Sequence, residues 1–159
     1  MLEKAKSDGK TVLFETGKDP YGWKDGTVNE IRGLLRYIDY FIPSLGEASA
    51  LSNETTPEGM AEDLRKCGAG AVVITLNDCG CIAATPDGII SSAAFRCDVV
   101  DTLGAGDCFD AGFAYGLTQG WEIGRILEFC NALCSIFISG HDDRYPAKEE
   151  VERLIWKRK

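Results

Sequence analysis

Hydrophobic positions along the chain fall into two rhythms, and their order sketches a fold. Met1 to Lys10 is polar and reads as a helical lead-in. Thr11 to Glu15 reads as a strand, ending in the glycine, proline and aromatic cluster Gly17–Trp23. Val28, Ile31, Leu34, Leu35 and Ile38 then recur at helical spacing. Asp39–Ile42 is a short second strand stopped by Pro43, and Ser44 leads at once into a helix through about Leu51. The next helix carries its own punctuation: Thr56 as N-cap, Pro57 at the first helical position and Gly68 just past the end. Ala71–Leu76 is continuously apolar and rich in β-branched residues, the pattern of a strand buried on both faces. Cys81–Ala84 and Ile89–Ala93 flank Thr85-Pro86-Asp87-Gly88, which predicts a hairpin.

After an extended segment, Phe95–Val100, the rhythm turns helical: Gly106 to about Thr118, Glu122 to about Ile138, and about Ala147 to Trp156. Strands alternating with helices, then a hairpin, then packed helices, predict a single α/β domain over 1–159 with a mostly parallel sheet flanked by helices. There is no internal repeat or low-complexity linker.

Composition narrows the function classes. At 159 residues the chain can bury a real core, and 45% hydrophobic with 26% charged residues is ordinary for a globular protein. A net charge of −8 disfavours nucleic acid and anionic membrane surfaces as partners. No stretch of about 18 apolar residues and no signal peptide is found. Lys157-Arg158-Lys159 reads as a solvated basic end, and His141 as a surface residue. Seven cysteines suggest metal or disulfide chemistry, but their spacing does not support it. Cys79 and Cys81 lie two apart on an expected strand and so point to opposite faces. CxxC is absent, the count is odd, and Cys130 and Cys134 sit in an apolar helical pattern as small core residues. The expected compartment is reducing, hence the cytoplasm.

The candidate chemistry lies in Asp101-Thr102-Leu103-Gly104-Ala105-Gly106-Asp107-Cys108-Phe109-Asp110-Ala111-Gly112. Two glycines with an alanine between them let the backbone turn sharply and aim successive N–H groups at one point. That point is the start of an apolar helix, where unpaired donors and the dipole favour an anion. Asp107 beside an anion makes sense as a base: it takes a proton from a hydroxyl while the amides of Gly104, Ala105 and Gly106 hold phosphoryl oxygens. Asp110 is an early-helix carboxylate favoured by the dipole, an account that would serve Asp107 too if the string were shorter.

The full string, D-T-x-G-A-G-D-x-F-x-x-G-F, resembles the second signature of the pfkB (ribokinase-like) family of carbohydrate and nucleoside kinases. The resemblance implies a ribokinase-like fold, ATP and Mg²⁺ as cofactors, and a sugar or nucleoside-like acceptor. Ser44-x-x-Glu47 alone is a capping box. By resemblance it sits where the family has N-x-x-E, whose glutamate works in the Mg²⁺ and phosphate network, with Ser44 replacing the asparagine. Thr75, Leu76 and Gly80 match the T/K-L-G-x-x-G segment that lines the family's nucleotide site, with Asn77 where glycine is usual. Asn131 matches the asparagine of the F-x-N-A segment beside the nucleotide; a buried helix–helix contact explains it equally well. Asp101 and the Leu103 carbonyl match positions that bind a monovalent cation such as K⁺, although shaping the turn is sufficient reason for Asp101. Trp23, Trp121 and Trp156 read as packing residues.

The resemblance covers only the C-terminal half of such a kinase. The glycine-rich sugar-binding motifs and β-sheet lid of the N-terminal half are not found here, so the chain is expected to be the nucleotide-binding portion, a fragment or a short product. Surface left open at a sheet edge could drive association into a homodimer. Two further readings stay open: a nucleotide binder without catalysis of its own, and an interaction module in which the motif is a relic.

Overall fold

The computed structural model describes residues 1–140 and 145–158; His141 and Lys159 lie outside the described residues. The chain divides into two compact units, Met1–Leu76 with Ile82–Ile90, and Asn77–Cys81 with the chain from Ser91.

The first unit begins with α1 (Leu2–Ser7), β1 (Leu13–Phe14) and α2 (Asp25–Leu34), which tightens into a 3₁₀ turn over Leu35–Tyr37. β2 (Tyr40–Phe41), α3 (Leu45–Leu51), α4 (Pro57–Lys66) and β3 (Ala71–Thr75) follow, then the hairpin strands β4 (Cys81–Thr85) and β5 (Gly88–Ser92). The sheet order is β1-β2-β3-β4-β5. β1, β2 and β3 are parallel, with Leu13 opposite Tyr40 and Phe41 opposite Val72. A mixed α/β sheet flanked by helices is thus the observed architecture. β1 is shorter than Thr11–Glu15 because the Asp39 carboxylate takes the Val12 N–H at 2.8 Å. Asp39 is itself held by the Lys6 ammonium at 2.7 Å.

Val72, Val73 and Ile74 are fully buried, as their continuous apolar run demands. Val72 and Ile74 join Leu35, Ile38, Phe41, Leu51 and Leu64 in the core of this unit, each side chain contributing about 1.5–3 kcal/mol on burial. α4 is capped as its sequence predicts: Thr56 Oγ1 accepts the Gly59 N–H at 3.1 Å.

The second unit holds a 3₁₀ turn (Asn77–Cys79), α5 (Ala105–Thr118), α6 (Ile123–Ser139) and α7 (Lys148–Arg158). Gly112 and Gly116 let α6 come close. A Cβ on Gly112 would stand 2.8 Å from Leu133 Cδ2, and one on Gly116 2.7 Å from Ile126 Cγ1. Trp121 packs edge-on against Tyr115 and Phe129, whereas Trp156 is 77% exposed and serves no core. Arg158 is not a free basic end: its guanidinium lies over the Phe95 ring and donates to the Ala93 carbonyl at 3.0 Å. No helix among the described residues is long and apolar enough to cross a membrane.

Candidate functional site

The turn before α5 is set by its own side chain and two backbone bonds. Asp101 Oδ1 accepts the Leu103 N–H at 2.9 Å, which is the turn-shaping role. The Ala105 N–H donates to the Thr102 carbonyl at 3.1 Å. Upstream, the Val100 and Asp101 N–H groups donate to the Ile138 carbonyl at the end of α6, so the extended segment is anchored to a helix end. Gly104 then adopts φ +79°, left-handed, and acts as N-cap with no side chain to spend on the helix amides. Among the described residues, no acceptor is found for the N–H groups of Gly104, Gly106 or Asp107. The Ala105 amide, expected among the anion-holding donors, is instead committed to the turn. Asp107 follows in the first helical turn with its side chain exposed to solvent. A short, dipole-facing row of free N–H groups beside an exposed carboxylate can hold an anion and accept a proton next to it.

Within the same unit, Gly80 has φ +100°, and a Cβ there would lie 2.1 Å from the Ser92 carbonyl oxygen. Asn77 is the one non-glycine residue with positive φ, +53°, among the described residues. Asparagine tolerates this left-handed conformation better than other side chains, which accounts for its standing where glycine is usual. Asn131, on α6, is buried. Its Nδ2 donates to the Ser92 carbonyl at 2.9 Å and to Ser92 Oγ at 3.1 Å, with Cys81 Sγ at 3.4 Å. The contact is therefore helix to strand end. Burial pushes the neighbouring Cys81 thiol up to about 12.

In the first unit, the carboxyl ends of the parallel strands carry the remaining candidates, the edge at which ligands collect in open α/β sheets. Ser44 pairs with Thr75 in an isolated parallel bridge, and Thr75 N–H donates to the Pro43 carbonyl at 3.1 Å. Ser44 N–H donates to Glu47 Oε2 at 2.8 Å, and Glu47 N–H to Ser44 Oγ at 3.4 Å: the capping box is formed. Glu47 is buried. Leu76 packs against the core of this unit, so its side chain serves packing.

Beyond β1 lies a cleft of about 430 Å³ that sequence reasoning did not single out, lined by Phe14, Thr16, Lys18, Trp23, Lys24 and Ile31. Thr16 Oγ1 is buried there with no partner among the described residues. The only advance signal was the Gly17–Trp23 cluster, which reads equally well as a loop. The candidates thus fall in two places: Glu47, Thr75 and Leu76 in the first unit; Gly80, Asp101, Gly104, Ala105, Gly106, Asp107 and Asn131 in the second.

The chain is 32% identical over 165 residues to a 2-dehydro-3-deoxygluconokinase of Bacillus subtilis, covering 98% of this chain and 49% of that protein. Among solved structures it is similar to a ribokinase from Thermotoga maritima, with a TM-score of 0.79, 27% identity, and coverage of 98% and 52%. An E. coli structure described as a putative ribokinase II in complex with ATP and Mg²⁺ shares the fold, with a TM-score of 0.83, 22% identity, and coverage of 98% and 52%. The chain spans about half the length of the curated relatives it matches. Residues 1–150 match the family described as pfkB family carbohydrate kinase, and the chain belongs to that family.

Proposed function

We propose that this chain supplies the nucleotide-handling part of an ATP-dependent kinase acting on a hydroxyl of a sugar or related small molecule. The observation that carries the proposal is the α5 N-terminus: amides at Gly104, Gly106 and Asp107 without an acceptor among the described residues, beside the exposed Asp107 carboxylate. Asp107 accepts the proton of the attacking hydroxyl, and the amides stabilise charge on the transferred phosphoryl oxygens. Glu47, one of whose carboxylate oxygens is spent on its helix cap, offers the other to a magnesium-bound water. Mg²⁺, when bound, neutralises phosphate charge; the protein supplies position and electrostatics, with no covalent intermediate. The Asn77–Gly80 turn lies beside the nucleotide, and Asn131 holds the strand end there. A sugar acid of the dehydro-deoxygluconate type, given by the Bacillus relative's name, is the first acceptor to try.

The test is MgATP with a panel of sugars and sugar acids, scored for phosphorylated product. Asp107→Asn is expected to lower turnover by about 10²–10⁴-fold while leaving ATP binding intact. Near-normal turnover in that variant would remove Asp107 from the role of base. ATP binding without product from any acceptor would reduce the function to nucleotide binding.

A further inference from the structure

Within the second unit, a turn and two helices meet at one short stretch of backbone, Ser92 to Phe95. The Asn77–Gly80 turn rests on it. Gly80 stands so close that a Cβ there would lie 2.1 Å from the Ser92 carbonyl oxygen, 2.6 Å from the Ala94 nitrogen and 2.7 Å from the Ala93 carbonyl carbon. α6 holds the stretch through Asn131, whose Nδ2 donates to the Ser92 carbonyl and hydroxyl and lies 3.4 Å from the Ala93 carbonyl oxygen. α7 holds it through Arg158, whose Nη1 donates to that same Ala93 carbonyl at 3.0 Å. The Arg158 guanidinium also lies over the Phe95 ring, 4.3 Å from its centroid. Phe95 is buried in the core that Cys108 enters from α5, Phe129 and Ala132 from α6, and Val151 and Ile155 from α7.

α7 is itself fixed before it reaches Arg158. Val151 and Ile155 are buried, Glu152 pairs with Arg125 of α6, and the Lys148 ammonium lies over the Tyr115 ring of α5. The guanidinium is therefore presented by an anchored helix and not by a loose tail. By contrast Asn77, Asp78 and Cys79 are exposed, and their turn is closed by a long bond, Gly80 N–H to the Asn77 carbonyl at 3.3 Å.

We propose that Arg158 is a positioning residue for the Asn77–Gly80 turn: by gripping Ala93 and Phe95 together it fixes the stretch on which Gly80 rests, and so where the turn presents its backbone. Asn131 sets the strand end from the buried side. Arg158 closes it from the solvent side, where water competes for the Ala93 carbonyl. The Phe95 face offsets that competition, because its attraction for the cation keeps the guanidinium beside the carbonyl. Glycine at position 80 transmits the setting. It has no side chain to swing aside, so a displacement of Ala93 or Ala94 meets the backbone of the turn directly. The consequence for nucleotide handling rests on the kinase reading above; the link from Arg158 to the turn does not.

The experiment compares amide exchange in the unsubstituted chain with that in Arg158→Met, which keeps an apolar stem and loses the cation and its donors. Expected is exchange faster by about 2- to 10-fold at Gly80, Cys81 and Ala93 to Phe95, with α6 and the middle of α7 unchanged and the urea midpoint held. Arg158→Lys keeps a cationic donor and should recover part of the difference. MgATP affinity, read by calorimetry, should fall in Arg158→Met by a similar factor. Unchanged exchange at Gly80 and Cys81, acceleration spread evenly over α6 and α7, or faster exchange at the turn with MgATP affinity unaltered would each overturn the positioning role. Failure of the unsubstituted chain to bind MgATP counts against the kinase reading alone, because the exchange map needs no nucleotide.

Discussion

Ser44 and Thr75 face one another across the carboxyl ends of β2 and β3, joined in a parallel bridge. That bridge ties the N-cap of α3 to the end of β3, a strand buried from Ala71 to Ile74. Glu47 is held in turn by Ser44, which both gives and receives a hydrogen bond. The capping box and a metal role for Glu47 therefore do not compete. The cap uses Oε2, and a carboxylate has a second oxygen with its own lone pairs.

The two roles separate by substitution. Ser44→Ala removes the oxygen that caps Glu47 N–H and is expected to cost about 1 kcal/mol in urea denaturation, while Ser44→Asn, another good N-cap, should cost little. Glu47→Gln preserves a capping-box partner, so stability should stay within about 0.5 kcal/mol. If Glu47 serves Mg²⁺, the same variant should weaken magnesium-dependent ATP binding in calorimetry. Unchanged binding would leave Glu47 as a cap only.

The turn after β3 gives a sharper contrast between two neighbouring positions. At Gly80 a Cβ would lie 2.1 Å from the Ser92 carbonyl oxygen, so Gly80→Ala must displace backbone and should cost at least about 3 kcal/mol. Asn77, already left-handed, should accept glycine with a change of about 0.5 kcal/mol or less, whereas Asn77→Val should lose more than about 1 kcal/mol. Equal losses at both positions would mean that the turn is plastic. Thermal melts of the three variants decide it.

Much of the fold was legible because its signals are local. The β-branched run of β3, the Thr56-Pro57 start of α4 and the glycine-rich turn before α5 each carry their own physical cause. Less legible was whatever depended on a distant partner. The shortening of β1 follows from Asp39 capturing the Val12 N–H, a pairing 27 residues apart in sequence. Asn131 stood evenly between a helix–helix contact and a ligand contact; the partner it has, the Ser92 strand end, lies 39 residues away. Commitment of the Ala105 amide to Thr102 depends on turn geometry that several loop conformations would satisfy differently.

Stability at low pH should depend on Asp63. Arg32 grips its carboxylate with Nη1 at 2.7 Å and Nη2 at 3.1 Å, and Ser52 Oγ donates at 2.7 Å, joining α2, the end of α3 and α4. The Arg32 hydrogen bonds hold the Asp63 carboxyl below the usual carboxylate range, against the opposing effect of partial burial. Because the folded value lies below the unfolded one, the contribution is fully present above about pH 4 and is lost as pH falls through the folded value. Asp63→Asn should therefore be less stable by about 1 kcal/mol near neutrality and show a flatter acid limb below about pH 4 in urea midpoints. Parallel acid limbs for the two proteins would locate the acid sensitivity elsewhere.

Gly104 tests the α5 turn without touching its carboxylate. Its φ of +79° strains any L side chain, yet a Cβ there would meet only the Phe137 ring at 3.5 Å, an ordinary contact. The penalty of substitution is thus conformational rather than steric, about 1–2 kcal/mol for alanine. Asparagine, which enters the left-handed region more readily, should cost less, and valine more. If the amides of Gly104, Gly106 and Asp107 hold phosphoryl oxygens, relaxing this strain re-aims them, and turnover should fall in the order Gly104→Asn, Gly104→Ala, Gly104→Val. Asp107→Asn should instead lower turnover with nucleotide affinity preserved. The two profiles, taken as kcat and KM for ATP side by side, distinguish a misaimed anion cradle from a missing base. A Gly104 series that tracks stability but leaves kinetics untouched would mean that the cradle is not where the phosphoryl group is held.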